Sequence, residues 1–288
     1  MKRLLRWVGA ILLTAATGPV IAASEGQVPL GGDRQVTGPL WELGVGAAAL
    51  HLPDYRGSDQ SRNYLLPLPY VIYRGEWLRA DREGARALLV RTDRVKLDLS
   101  ATATVPTDSQ DNAARRGMAD LAATVEVGPN LNLEMLESAD RRLRLELRLP
   151  LRAAFTLERS PHQIGYTFSP NLNLDISGVA GGWHVGLLGG PLYADRRYHQ
   201  YFYGVAAADA TSARPVYAAP GGYAGWQVLA ATSRRIGSAW VGAFVRYDSV
   251  SGAVFESSPL IRRTHELTAG IGIAWVFAAS DRRVTIDE

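Results

Sequence analysis

No cysteine occurs anywhere in the 288 residues. Disulfide scaffolding, a cysteine-ligated metal and a lipid anchor on an N-terminal cysteine are therefore excluded. Beyond its opening segment the chain has no run approaching the roughly 18 to 20 apolar residues that a membrane-spanning helix needs. Local catalytic signatures are missing as well: Gly-x-Ser-x-Gly, His-Glu-x-x-His and Gly-x-x-x-x-Gly-Lys-Ser/Thr do not occur. Gly44-Val45-Gly46-Ala47-Ala48-Ala49 mimics a dinucleotide fingerprint, but it falls inside a predicted strand and not before a helix. An excess of one charge is also lacking. The formal net charge of +3 comes from Lys2, Arg3 and Arg6, and without them 28 basic side chains face 28 acidic ones. Such a chain offers no electrostatic case for binding nucleic acid, and nothing in it implies a cofactor.

What is present begins with a leader. Met1-Lys2-Arg3-Leu4-Leu5-Arg6 is a positive start, Trp7 to Thr17 is mainly apolar, and Val20-Ile21-Ala22-Ala23-Ser24 offers small residues for cleavage after Ala22 or Ala23. Residues 1–22 are read as a signal peptide and 23–39 as a periplasmic N-terminal segment.

The remainder alternates. In Val95 to Val105 every odd position is apolar and every even one polar, and the same alternation returns in Leu121 to Glu134, Leu143 to Leu151 and Asn171 to Ile176. Each is a strand with one apolar and one polar face. Twelve strands are expected, at 40–50, 64–73, 76–82, 86–92, 94–105, 120–134, 142–156, 164–176, 182–190, 215–230, 239–249 and 265–277. Short connections at Arg74-Gly75, Thr92-Asp93, Glu137 to Asp140 and Thr232 to Ser238 alternate with long ones at 51–63, 106–119, 191–214 and 250–264. Even strand number, sequential neighbours and short turns at one rim describe an all-β, antiparallel up-and-down barrel in an outer membrane. Residues 40–277 form that barrel and 278–288 a periplasmic tail.

With the N-terminus at the periplasmic rim, Trp41, Trp77, Trp183, Trp226, Trp240 and Trp275 fall at one interface, and Tyr64, Tyr166, Tyr193, Tyr217 and Tyr247 towards the other, as paired aromatic girdles. The polar faces then line the lumen. Glu134 is expected opposite Arg142 or Arg144, and Glu126 near Arg152, so the interior is cross-linked and not of one sign. Arg74, Arg79, Asp81 and Arg82 form a candidate charge cluster, and Pro67 with Pro69 marks a bulge or bend. At the outer rim an acid, a hydroxyl and a base (Asp54, Ser58, His199) could meet, which would suit a lipid hydrolase. Tyr193, Tyr198, Tyr201 and Tyr203 read as packing or rim hydrogen bonding.

Several ordered blocks resemble the MltA-interacting protein (MipA/OmpV) family of Gram-negative outer membranes. They are Tyr55-Arg56-Gly57-Ser58, Leu66-Pro67-Leu68-Pro69-Tyr70 continuing to Trp77 and Arg82, Ala114 to Leu121, Gly190-Pro191-Leu192-Tyr193-Ala194-Asp195 with Tyr201-Phe202-Tyr203, Arg214-Pro215-Val216-Tyr217, Gly221 to Gly225, and Ser257-Ser258-Pro259-Leu260. The resemblance implies a non-enzymatic outer-membrane scaffold joining a lytic transglycosylase to a bifunctional penicillin-binding protein in cell-wall assembly. A narrow channel for small solutes or antibiotics is the alternative, and a lipid hydrolase the third reading. The expected partners are outer-membrane lipid and these periplasmic murein enzymes.

Overall fold

A computed structural model describes residues 37–74, 78–81, 84–92 and 94–285. In chain order the strands are β1 (Thr37–Pro39), β2 (Trp41–Pro53), β3 (Ser61–Arg74), β4 (Leu78–Asp81), β5 (Gly84–Arg91), β6 (Val95–Ala103), β7 (Thr124–Glu137), β8 (Leu143–Thr156), β9 (Gln163–Phe168), β10 (Asn171–Val179), β11 (Trp183–Ala194), β12 (Gly222–Ile236), β13 (Ala239–Ser249), β14 (His265–Ala279) and β15 (Arg283–Thr285). One helix, α1 (Arg196–Tyr203), lies between β11 and β12.

The pairing runs β10-β11-β12-β13-β14-β2-β3-β4-β5-β6-β7-β8-β9, and β10–β8 with β11–β9 closes the ring. β9 and β10 are one wall, interrupted at Ser169-Pro170 where proline has no N–H to give. Counted so, the described strands make the twelve antiparallel walls expected. β14 identifies the surrounding medium. Its outward side chains are Leu267, Ile271, Ile273, Trp275 and Phe277, the last two 64% and 65% exposed, while Thr268, Ala274 and Val276 face inward and are buried. A water-soluble sheet would place these the other way round, so the apolar face meets lipid. The ten steps from Leu267 to Phe277, at about 3.3 Å each and tilted about 40°, give a belt about 25 Å tall.

Three expectations are corrected. The strand expected at 215–230 is β12, Gly222–Ile236, because Val205 bridges Tyr217 in the loop region before it. Its turn is the pair Gly237-Ser238, with Gly237 at φ 60° in the left-handed region that glycine tolerates. Pro67 and Pro69 mark no bulge: the β2–β3 register is continuous from Trp41↔Tyr73 to Pro53↔Ser61. Since proline cannot donate, Ala47↔Pro67 and Val45↔Pro69 must be non-hydrogen-bonded pairs, and the proline nitrogens turn away from β2. On that side the β3–β4 ladder holds only Tyr73↔Ala80 and Arg74↔Arg79 before the chain reverses at Asp81↔Gly84. Among the described residues, β3 above Tyr73 is thus a free edge, and the prolines remove two donors that lipid could not satisfy.

The termini pair with each other. β1 and β15 align Thr37↔Thr285, Gly38↔Val284 and Pro39↔Arg283, continuing the β2–β14 seam past the barrel.

Candidate functional site: the lumen and its loop cap

Parity decides which side chains enter the lumen, and turn length decides at which height. At the short-turn rim Glu42, the only acid of β2, is fully buried. The Arg74 Nη1 donates to its Oε1 at 2.8 Å and Arg235 Nη1 to its Oε2, while Arg74 also holds the Pro39 carbonyl at 2.8 Å. Beside this cluster Trp240 packs with Tyr70, Ile72, Ala274 and Val276. Trp240 is 7% exposed and points inward, which corrects its place in the girdle. It shares the even parity of Arg246 and Asp248, whose side chains form an interior ion pair. Room for it comes from Gly242, where a Cβ would lie 2.5 Å from the indole.

The facing wall is polar. Lys96 and Arg148 both reach Glu146, at 3.6 and 2.9 Å, and Arg148 reaches Asp175 at 3.8 Å. Asn130 donates to Asn132, which donates to Asp98. Arg144 meets Glu134 at 4.0 Å and Glu137 at 3.0 Å. Arg142 instead meets Asp140 at 3.7 Å in the turn. Glu126 and Arg152 form no direct ion pair. Glu126 accepts from Thr167 and from Tyr198 Oη, both at 2.8 Å, and Arg152 donates to Ser100 and Ser169.

Of the other expected residues, Trp41, Trp183 and Trp275 face outward near the short-turn rim. Trp226 does not join them. Because β12 begins at Gly222, Trp226 lies near the long-loop rim, 5.3 Å from the Tyr247 ring. Arg79 is opposite Arg74 in the β3–β4 register. The side chains of Arg79 and Asp81, and all of Ala22, Ala23, Trp77 and Arg82, lie outside the described residues.

Over the other end the long loops build a core of their own. Phe255, Leu260 and His199 are fully buried among Tyr55, Phe202, Tyr203 and Val205, and the Tyr203 and Phe255 rings stack at 3.8 Å and 9°. Asp195 caps α1, accepting the Tyr198 N–H at 2.9 Å. Arginines tie the backbone together. Arg115, 3% exposed, donates to the Phe202 and Ala119 carbonyls and to Ser109, and Arg214 donates to the Ala114, Arg116 and Asp209 carbonyls. Arg56 anchors the cap to the wall through Asp248 at 3.0 Å and the Ala224 carbonyl. Burial pushes the Tyr55 hydroxyl above its ordinary range, and its proton is donated to the Leu260 carbonyl at 2.7 Å.

The acid, hydroxyl and base of the outer loops do not converge. Asp54 accepts from Arg62 and Asn112, and Ser58 accepts from Asn112 and from the Gln60 N–H. The His199 Nδ1–H donates to the Pro220 carbonyl at 2.6 Å, and burial lowers the ring's pKa. No hydrogen bond joins His199 to Asp54 or Ser58 among the described residues. No group of three or more His, Asp or Glu side chains in that part of the chain could hold a metal ion.

Sequence reasoning missed Glu42, Arg56, Arg115, Arg214 and Asp248. The lone acid of β2 was the one local signal, since its neighbours along the strand are small or apolar.

Among solved structures the chain is similar to a bacterial polysaccharide outer membrane secretin at 10% identity, covering 83% of this chain and 99% of that one with a TM-score of 0.42. It is also similar to the CymD monoaromatic hydrocarbon channel (11% identity, 85% and 68% covered, TM-score 0.24) and to OccK2 (OpdF) of Pseudomonas aeruginosa (14%, 73% and 65%, 0.20). No curated protein matches. The family model described as MltA-interacting protein MipA matches residues 45–277. The chain therefore belongs to the MltA-interacting protein MipA family and is a β-barrel of the Gram-negative outer membrane.

Proposed function

We propose that the protein is a closed outer-membrane scaffold that holds a lytic transglycosylase, and through it a bifunctional penicillin-binding protein, at its periplasmic face. The long loops then point outward and the short turns and paired termini inward. The observation that carries this reading is the fill of the barrel. A packed hydrophobic cap covers one end, and the Glu42 cluster with Trp240 occupies the lumen at the other. A wide diffusion pore needs an unobstructed lumen, whereas a scaffold needs only a rigid frame and an exposed rim. The name of the family supplies the partner class. Among the described residues, the available contact surface includes the turns Ser138 to Arg142, Ala180 to Gly182 and Gly237-Ser238, together with the β1–β15 ribbon. Cross-linked pull-down from envelopes tests the reading, because enrichment of a murein transglycosylase is expected from a scaffold and from neither alternative.

A narrow channel is the second reading, favoured by the polar lumen wall from Lys96 to Asp175 and by the free edge of β3. Single-channel recording in planar bilayers separates the two. A scaffold gives no defined conductance steps, and a channel gives steps that change when lumen charges are neutralised.

A further inference from the structure

The outer surface of the β13–β14–β2 seam carries groups that neither the lumen nor the cap uses. His265 lies on β14 one outward position beyond Leu267, the end of the apolar belt. Its Nδ1 is 2.8 Å from the Tyr247 hydroxyl and the two rings stack at 5.8 Å and 19°. Trp226 extends the aromatic row from the other side of Tyr247. On β2 the outward His51 Nδ1–H donates to the Asn63 Oδ1 at 2.8 Å, and its Nε2 has no partner among the described residues.

Two clefts of about 450 and 360 Å³ adjoin here, sharing Arg263 and His265. Arg262 and Arg263 are exposed and have no acidic partner within ion-pair distance among the described residues. Their placement is nonetheless fixed, since the Gly57 carbonyl accepts both of their backbone N–H groups, at 2.8 and 3.1 Å. Of the acids nearby, Glu256 accepts the Gly252 N–H and Glu266 the Gly57 N–H, and Asp59 is solvent-exposed. Two guanidiniums on a pinned backbone, above an aromatic and imidazole row, at the border of the apolar belt, match one chemistry. Arginine takes phosphate oxygens in its fork, and the rings offer a flat face and N–H or O–H donors to a sugar.

We infer that this seam binds the phosphorylated disaccharide head of an outer-leaflet glycolipid, with Arg262 and Arg263 on a phosphate, Tyr247 and His265 against the sugar and the acyl chains along Leu267 and Ile271. The assignment rests on the outward orientation of the long loops proposed above, and its test is independent of murein partners.

The purified full chain in detergent micelles is titrated with bisphosphorylated lipid A, with phosphatase-treated lipid A, with phosphatidylglycerol and with inorganic phosphate, binding being read by native mass spectrometry and by the heat-modifiable gel transition. Bisphosphorylated lipid A is expected to bind and to raise the transition temperature, and removal of its phosphates to weaken binding at least tenfold. Arg262→Gln with Arg263→Gln is expected to weaken it at least tenfold while the folded gel form persists, and Arg159→Gln on another exposed loop to change nothing. Arg263→Gln alone, an exposed single change, keeps the test open if the double variant misfolds, and should weaken binding at least threefold. Equal binding of the dephosphorylated lipid, wild-type binding by the arginine variants, or displacement by inorganic phosphate at matched concentration would overturn the site. Equal or stronger binding of phosphatidylglycerol would overturn the glycolipid assignment, whatever murein enzymes the protein captures.

Discussion

Replacing Glu42 with Ala removes a buried acid that Arg74 and Arg235 both pair with. Glu42 is fully buried, and the two arginine side chains keep 20% and 17% of their exposure. Breaking a buried pair from one side typically costs about 3 to 5 kcal/mol, because the abandoned charge stays desolvated. Both arginines lose this carboxylate, but water at the rim still reaches each in part, so the lower end, about 3 kcal/mol, is the expected loss. Urea unfolding in micelles, followed by the heat-modifiable transition and by tryptophan fluorescence near Trp240, measures it. Replacing all three residues by apolar ones of similar volume should restore most of the loss, since the desolvation cost leaves with the charges. A loss under about 0.5 kcal/mol for Glu42→Ala would show the cluster to be solvated, and the argument that it fills the lumen would fail.

Ile271→Arg, midway along the outward face of β14, should cost about 2 to 4 kcal/mol in a bilayer, read as a shifted folding midpoint in vesicles. Phe255→Ala should cost about 3 to 5 kcal/mol of cap stability, read as faster proteolysis within the loops 204–221 and 250–264 while the barrel keeps its gel shift. The cap should also loosen in acid. Burial lowers the His199 pKa, so the open cap binds the proton more readily. Its stability is fully present above the ordinary value of 6.5 and falls as the pH drops through the lower folded value. Proteolysis rates across that window measure the effect, and His199→Gln should flatten it. Deleting residues 281–288 removes β15 and should weaken transglycosylase co-purification while membrane insertion persists. If insertion fails instead, the ribbon serves assembly.

The walls were legible because parity is local. Leu143 to Leu151 states in nine consecutive letters which side chains face lipid, and the structure keeps every one outward. Height along the wall is less local. Residues 215–221, Pro-Val-Tyr-Ala-Ala-Pro-Gly, carry no alternation that would mark where a strand starts; the Val205–Tyr217 bridge claims them for the cap, and that shift of the β12 start moved Trp226 from one rim to the other. Trp240 went astray because an indole beside a tight turn fits a girdle or a lumen equally well, and only the space over Gly242 decides. Glu42 could not be matched with its partners, which lie 32 and 193 residues away: Arg74 comes from the end of the adjacent β3, and Arg235 on β12 meets Glu42 only when β14 closes on β2. The cap is a product of loops from four separate connections, and no periodicity announces such packing.

The central claim is that a filled, capped barrel serves as a frame for murein enzymes. Its most direct test is cross-linked affinity capture of the full chain from intact envelopes, with identification of the attached proteins by mass spectrometry. The account predicts strong enrichment of a lytic transglycosylase, reduced when the turn Ser138 to Arg142 or the β15 ribbon is altered and unchanged when the outer loops are altered. Capture without any murein enzyme, from protein that shows defined conductance steps in planar bilayers, would contradict it.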